Sequence, residues 1–487
     1  MPDDPGSSYP ELTLLVDGQH ISEGRSTAPV VNPATGTTLG HLPHASADDL
    51  HVAIAAASRA FGPWAATPPV ARSAILRKTA EIIRTDGEVL ADLISLELGK
   101  PRREAAREVD TTVELFEWAA EEGRRAYGRV IPARAVGTRM TAIPEPVGPV
   151  AAFAGWNAPA ITPARKISGA LAAGCPVIIK PSEATPASAL FIARALTAAG
   201  VPDGVVNVVF GDPAGIADTL LNAPDVAMVT FTGSVPVGKQ LASIAAAQLK
   251  RMVFELGGHA PVIVFPDVDV AAVAREAVAA RFRNSGQVCT SPGRFYVHED
   301  CYDTFVDRFV ETAAGWRVGD PFDDATQMGP LQSARRVDTM RALIDDAEAL
   351  GAKVCTGGHA IDRPGFFFAP TVLTDVALEA RVANEEPFGP IAQVASFRSV
   401  DEAVALANRL SVGLASYLFS NDLRVVDRLT AAIRAGSVIV NHWTVSFPET
   451  PFGGFGDSGF GLEGGIEGLQ AFQRLKFVSQ RTDDPPA

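Results

Sequence analysis

The chain has 487 residues, 47% of them hydrophobic, with a formal net charge of −14 and a pI near 5.1. Single hydrophobic cores stop growing at about 250–300 residues, so this length implies more than one domain. The negative charge opposes attraction to polyanions and no Lys/Arg-rich run is present, which sets nucleic acid and anionic membrane surfaces aside as partners.

The first stretch, MPDDPGSSYPELTLL, is acidic and broken by proline where a secretory signal needs a basic start and an apolar run, so no export is expected. The most apolar tract, VGPVAAFAGWNAPAI, is shorter than the roughly 18–20 residues of a spanning helix and is interrupted by Gly, Pro, Trp and Asn. Cys175, Cys289, Cys301 and Cys355 are too sparse for a disulfide framework and form no CxxC pair. A reducing cytoplasm is expected, and a zinc or other metal site is not.

In chain order, SADDLHVAIAAASRAF opens with a Ser46-x-x-Asp49 capping box, and amphipathic runs follow to about Tyr127, so the first 125 residues read as helical. From about residue 139 the pattern turns to extended segments, and short apolar runs then alternate with helical ones (PVIIKPS, ASALFIARALTAAG, VVNVVFG, AGIADTLLNA, VAMVTFTGS, VGKQLASIAAAQL, RMVFELGG). Such alternation implies right-handed crossovers and a mostly parallel sheet covered on both faces. After Gly257-Gly258 the alternation restarts with PVIVFPDVD, a long helix to Cys289, RFYVHED, a helix near 300 to 314, and then IAQVASF, ASYLFS and SVIVNHW, enough for a second α/β domain. The tail SQRTDDPPA is expected to fray.

Three local features carry chemistry. The strand ending in FTGS leads through Gly233 and Ser234 into a helix containing Gly238, and a glycine turn at a helix N-terminus offers free N–H groups to a pyrophosphate. Its G-x-x-x-x-G spacing is not the dinucleotide fingerprint, and Ser234 acting only as an N-cap explains it equally well. KPSE closes a buried-strand pattern, where Lys180 and Glu183 either meet a ribose or phosphate or form a solvated loop. Finally, FELGG and GQVC place Glu255 and Cys289 each at the end of an element. A thiol that attacks and a carboxylate that later activates water suit covalent catalysis, whereas a lone cysteine is more often a small buried hydrophobe.

Taken together, GWNAP (155 to 159), KPSE (180 to 183), FTGSVPVG (231 to 238), FELGG (254 to 258), NSGQVC (284 to 289), EEPFGP (385 to 390) and PFGGFGDSG (451 to 459) resemble, in order and over nearly the whole chain, the NAD(P)-dependent aldehyde dehydrogenase superfamily. The resemblance implies an α/β fold of two doubly wound parallel-sheet domains plus a small β oligomerisation arm. Residues 1–125 and 147–256 would form the NAD-binding domain, 257–469 the catalytic domain, and 126–146 with 470–487 the arm. A homodimer or homotetramer is implied. Cys289 would attack the aldehyde, Asn157 with the Cys289 N–H would hold the oxyanion, and Glu255 would activate the water that hydrolyses the thioester. Lys180 and Glu183 would bind ribose, Gly233, Ser234 and Gly238 the pyrophosphate turn, and Glu386 with Phe388 the nicotinamide half, with Trp156 beside it. A carboxylate at Glu183 favours NAD, with NADP as the alternative cofactor.

Arg165 and Arg283 occupy positions that resemble the carboxylate grip of succinic semialdehyde dehydrogenases, and an arginine fork suits a carboxylate. A carboxylate-bearing semialdehyde is therefore the expected substrate. In SFPETPFGG the serine that completes that grip stands one place out, at Ser446, with Phe447 closest to the expected position, where it would line a pocket for an aromatic or longer aliphatic aldehyde. A CoA-acylating enzyme is disfavoured by Glu255. A catalytically silent member of the fold would show damage to the Cys–Glu–Asn set, which is intact.

Overall fold

The structure is a computed structural model that describes residues 9–482. Residues 483–487 of the tail expected to fray, and residues 1–8, lie outside the described residues.

The near-continuous apolar runs VAAF, VIIK and MVTFT become the strands Val150–Phe153, Val177–Lys180 and Met228–Thr232, almost every position of which is buried. With Val206–Val208 and Arg251–Glu255 they make the parallel centre of an eight-stranded sheet. Helices Ile161–Ala173, Pro186–Ala199, Pro213–Asn222 and Val235–Ala247 cross between successive strands. Val150–Phe153 and Met228–Thr232 are neighbours from which the strand order runs outward in both directions. Ligands bind in the crevice at such a switch point, beyond the carboxyl ends of the strands.

The expectation of an all-helical start is corrected. Four short strands (Leu14–Val16, Gln19–Ile21, Thr27–Val31, Thr38–Pro43) precede the helix Ala47–Ala66, and the first two form one edge of the large sheet. Their hairpin turns on Asp17 and Gly18, both at positive φ (52° and 77°). An Asp-Gly pair is the strongest short-range hairpin signal, yet its flanking runs are too short for periodicity to reveal. The Ser46–Asp49 capping box forms as expected, and Asp49 also takes a bidentate contact from Arg25.

Beyond Gly258 a second, seven-stranded sheet runs in the order Lys353–Thr356, Thr371–Thr374, Ile391–Phe397, Pro292–His298, Ala260–Val264, Ala415–Phe419, Ser437–Val440. All its pairs are parallel except the first. Each sheet has its own buried apolar core. A separate three-stranded antiparallel sheet joins Arg129–Ile131 and Thr138–Pro146 to Gln473–Arg481 near the chain's end.

Candidate active site

The helix Val270–Phe282 ends in a sharp reversal, with Asn284, Ser285 and Gly286 in succession at φ 49°, 57° and 71°. Asparagine tolerates this left-handed region better than most residues. At Gly286 a Cβ would stand 2.4 Å from the Gly389 carbonyl, so only glycine fits. The reversal brings half-buried Cys289 to the amino end of the strand Pro292–His298.

Asn157 approaches from the loop after Val150–Phe153 and donates from Nδ2 to the Gln287 carbonyl at 3.1 Å. Its own carbonyl accepts from Asn284 Nδ2 (3.0 Å) and Lys100 Nζ (3.4 Å). The helix Arg102–Glu122 supports both loops. Buried Glu108 pairs with Lys100 and accepts the N–H groups of Ala160 and Ile161, while Glu104 accepts the Asn284 N–H at 2.8 Å. Glu104 and Glu108 were absent from the sequence expectation, although their i,i+4 spacing puts them on one helix face.

Glu255 closes the strand Arg251–Glu255 with its carboxylate buried and both oxygens unpartnered. Burial, with Glu463 nearby, holds its pKa well above the usual carboxylate range, against the pull of Lys166 and Arg165. Glu463 in turn accepts from Lys166 Nζ at 2.6 Å and Thr230 Oγ1 at 3.2 Å. The Cys289 thiol is pushed up to about 12 by burial, then by the charges of Glu386 and Glu255, while Arg283 and Arg165 pull it down. At rest Cys289 is therefore a thiol, and attack by it would require a proton acceptor.

On the other side of the crevice, Lys180 contacts Glu183 at 2.7 Å, and Glu183 accepts the Gly211 N–H at 3.3 Å. Gly233 N–H bonds the Glu255 carbonyl at 3.1 Å, and a Cβ there would meet the Phe231 ring. Gly238 packs under Leu256, where a Cβ would lie 2.5 Å from its side chain, so its role in the structure is close helix–strand approach. Ser234 takes the N-cap position of Val235–Ala247 without a side-chain cap bond, and buried Thr232 Oγ1 has no partner. An open helix N-terminus, unused hydroxyls and a Lys–carboxylate pair, at the ends of two strands that flank Val150–Phe153, fit a dinucleotide.

Glu386 lies over Gly257, where a Cβ would stand 2.5 Å from its carboxylate. Its pKa is raised to about 8 by burial, opposed by the Gly258 N–H and by Arg336 and Arg281. Trp156 meets Phe388 edge to face at 5.3 Å. The sequence expectation lacked the residues that grip this segment by its carbonyls: Arg336 bonds Pro387 and Phe388, Arg281 bonds Gly389 and Ile391, and His259 bonds Val382.

Arg165 Nη2 donates to Ser446 Oγ at 3.2 Å, its guanidinium lies 5.1 Å from the centre of the Phe452 ring, and its buried Nη1 has no partner. Ser446, one place out from the expected position in the sequence, is the residue that reaches Arg165. Phe447 is 47% exposed and bonds its backbone to Thr450. Arg283 is exposed and acts on Cys289 through its charge. Beside Arg165 and Gly464 opens a small, mostly apolar pocket lined also by Leu115, Trp118 and Phe472.

Asp457 pairs with Lys239 at 2.8 Å, while Ser458 Oγ bonds the Gly257 carbonyl. Among the described residues no His/Cys/Asp/Glu group is arranged to hold a metal, and no helix is long and apolar enough to cross a membrane.

Residues 20–478 match the model of the aldehyde dehydrogenase family. The chain is 46% identical over 466 residues to 4-(hydroxymethyl)benzenesulfonate dehydrogenase of Comamonas testosteroni, covering 96% of this chain and 97% of the relative. It is 39% identical to the NADP(+) succinate-semialdehyde dehydrogenase of Escherichia coli, covering 95% and 96%. A crystal structure of an NAD-dependent aldehyde dehydrogenase from Sinorhizobium meliloti superposes with a TM-score of 0.97 at 35% identity, covering 100% of this chain and 98% of that one. The chain belongs to the aldehyde dehydrogenase family and is an oxidoreductase of that kind.

Proposed function

We propose that the protein oxidises an aldehyde bearing an anionic group to the carboxylic acid, with NAD as the cofactor. The observation that carries the substrate reading is Arg165, whose buried Nη1 lacks a partner while Nη2 rests on Ser446. A buried guanidinium nitrogen without an acceptor is costly, and a substrate carboxylate or sulfonate would supply the acceptor. The relatives support it: one is named for a benzenesulfonate and one for succinate semialdehyde. The apolar cavity beside Arg165 favours a second reading, in which the anion is carried on an aromatic body.

Lys180 and Glu183 would hold the adenosine ribose, the turn at Gly233 and Ser234 the pyrophosphate, and Glu386, Phe388 and Trp156 the nicotinamide half. Glu183 presents a carboxylate, which accepts ribose hydroxyls and repels a 2′-phosphate. When bound, the dinucleotide supplies the acceptor for the hydride that the aldehyde carbon loses. Cys289 Sγ bonds that carbon, with the thiol proton passing to Glu255. Asn157 Nδ2 and the Cys289 N–H hold the carbonyl oxygen as it gains charge. Glu255, after releasing that proton to solvent, takes a proton from the water whose oxygen attacks the thioester carbon and passes it to the departing sulfur, which frees the acid and restores the thiol. Its raised pKa makes it a stronger base than an ordinary carboxylate.

We assign 1–125 with 147–256 to the nucleotide half, 257–469 to the catalytic half, and 126–146 with 470–487 to an arm that pairs copies of the chain. The exposed Leu475 and Phe477 on that arm support self-association, and four free cysteines support a reducing cytoplasm. The testing experiment measures kcat/KM with NAD for succinic semialdehyde, 4-formylbenzenesulfonate and their uncharged analogues, with Cys289→Ala as the blank. A preference of about 30- to 4000-fold for the anions supports the proposal. Equal turnover of the uncharged aldehydes overturns it.

A further inference from the structure

We infer that Asn284 is a positioning residue for the oxyanion site, an inference that rests on Asn157 being the oxyanion donor. Asn284 is buried and sits in the left-handed region at φ 49°. Its Nδ2 donates to two carbonyls, those of Asn157 at 3.0 Å and Gln287 at 3.2 Å. The Gln287 carbonyl also accepts from Asn157 Nδ2 at 3.1 Å, which closes a ring of three hydrogen bonds between the Asn157 loop and the segment two residues before Cys289.

A side-chain amide nitrogen carries two hydrogens. On Asn157 one is committed to Gln287, so the direction of the other is set by whatever fixes the Asn157 backbone relative to Gln287. Asn284 is the side chain that touches both. It is held from behind by Glu104, which accepts its N–H at 2.8 Å, and by the Gln287 N–H, which donates to its carbonyl at 3.0 Å. Lys100, paired with Glu108, adds a second donor to the Asn157 carbonyl.

The Oδ1 of Asn284 is buried and has no partner. Glycine would satisfy the backbone conformation without that cost, so the amide is explained by its Nδ2 contacts rather than by the turn. No atom of Asn284 is assigned a contact with the aldehyde, and it acts through Asn157.

The test is a double-mutant cycle read by the pre-steady-state burst of reduced cofactor on a reactive aldehyde at saturating NAD. Asn284→Gly keeps the left-handed backbone, and Asn284→Asp keeps the shape while removing the donor. Either is expected to slow the burst by ~10- to 100-fold while KM for NAD stays within about twofold, part of the ~100- to 1000-fold due to one oxyanion donor. In an Asn157→Ala background the same change is expected to cost under about twofold. Multiplying effects, or a wild-type burst in Asn284→Asp, overturn the inference. If Asn157→Ala alone leaves the burst unchanged, the oxyanion reading itself has failed, a different result from additivity. Should the glycine variant not fold, the aspartate variant carries the cycle.

Discussion

Arg165 Nη2 lies 3.2 Å from Ser446 Oγ, so a guanidinium on the helix Ile161–Ala173 is steadied by a hydroxyl that arrives from the loop before Phe452. The Phe452 ring supports its face, and the free Nη1 is the direction left for an anion. Arg165→Met is expected to lower kcat/KM for an anionic aldehyde by about 30- to 4000-fold while changing an uncharged analogue little. Ser446→Ala removes one hydrogen bond from the charged guanidinium and is expected to cost about 13- to 160-fold. Steady-state kinetics on paired substrates checks both, and equal losses on charged and uncharged aldehydes would return Arg165 to a structural role.

The thiol should reveal its environment by its alkylation rate. Cys289 is pushed up to about 12, chiefly by burial and then by Glu386 and Glu255. The thiolate is the reactive form, so iodoacetamide labelling of the cofactor-free enzyme is expected to keep rising with pH beyond 10 rather than level off near the ordinary cysteine value of about 8.5. Glu386 has its own pKa near 8, so above that pH it is charged and opposes ionisation of the thiol. At pH 9, Glu386→Gln is therefore expected to label faster than wild type, whereas below pH 7 the two should converge. Mass-spectrometric labelling rates at Cys289 measure this.

The parts of the site that announce themselves in sequence are those whose chemistry sits in a short contiguous motif. Cys289 after Gly286-Gln287, Glu255 before Gly257-Gly258 and Asn157 after Trp156 can be read without knowing their neighbours, and the alternating apolar runs give the parallel strands. Arg281, Arg336 and Glu104 escape because they act on backbone atoms far away in sequence, and no local pattern records which carbonyl or N–H a buried charge will meet. Ser446 is visible in the sequence, but its contact with Arg165 is not. Its loop begins after Asn441 at positive φ and runs without regular structure, so no periodicity records which way its side chains point. The Asp17-Gly18 pair signals a hairpin, but the strands beside it are too short for periodicity to mark.

The proposed preference for NAD rests on one carboxylate. Glu183 is held by Lys180 and by the Gly211 N–H, which orients it at the end of the strand Val177–Lys180. Replacing it by Ser removes the repulsion of a 2′-phosphate and leaves Lys180 free to attract it. Glu183→Ser is expected to raise the ratio of kcat/KM for NADP to that for NAD by ~10- to 100-fold, since like charges in contact cost several kcal/mol. Initial rates with each dinucleotide at one aldehyde concentration test this, and an unchanged ratio would move cofactor selection away from Glu183.

The arm offers the last test. Gln473–Arg481 pairs along its whole length with Thr138–Pro146, yet almost every residue of it is exposed in the single chain. Leu475 and Phe477, at 68% and 60% exposure, are two residues apart and so share a face of the strand. Apolar side chains standing together on a thin three-stranded sheet mark a surface for a partner, and the proposed pairing of arms would cover them with a second copy of the chain. Leu475→Asp combined with Phe477→Asp is expected to lower the mass seen by sedimentation equilibrium to that of one 51.1 kDa chain. The variant should keep the near-ultraviolet circular dichroism of the sheet domains, because neither side chain belongs to their buried cores. A wild-type mass in the variant would place the contact between copies elsewhere on the molecule.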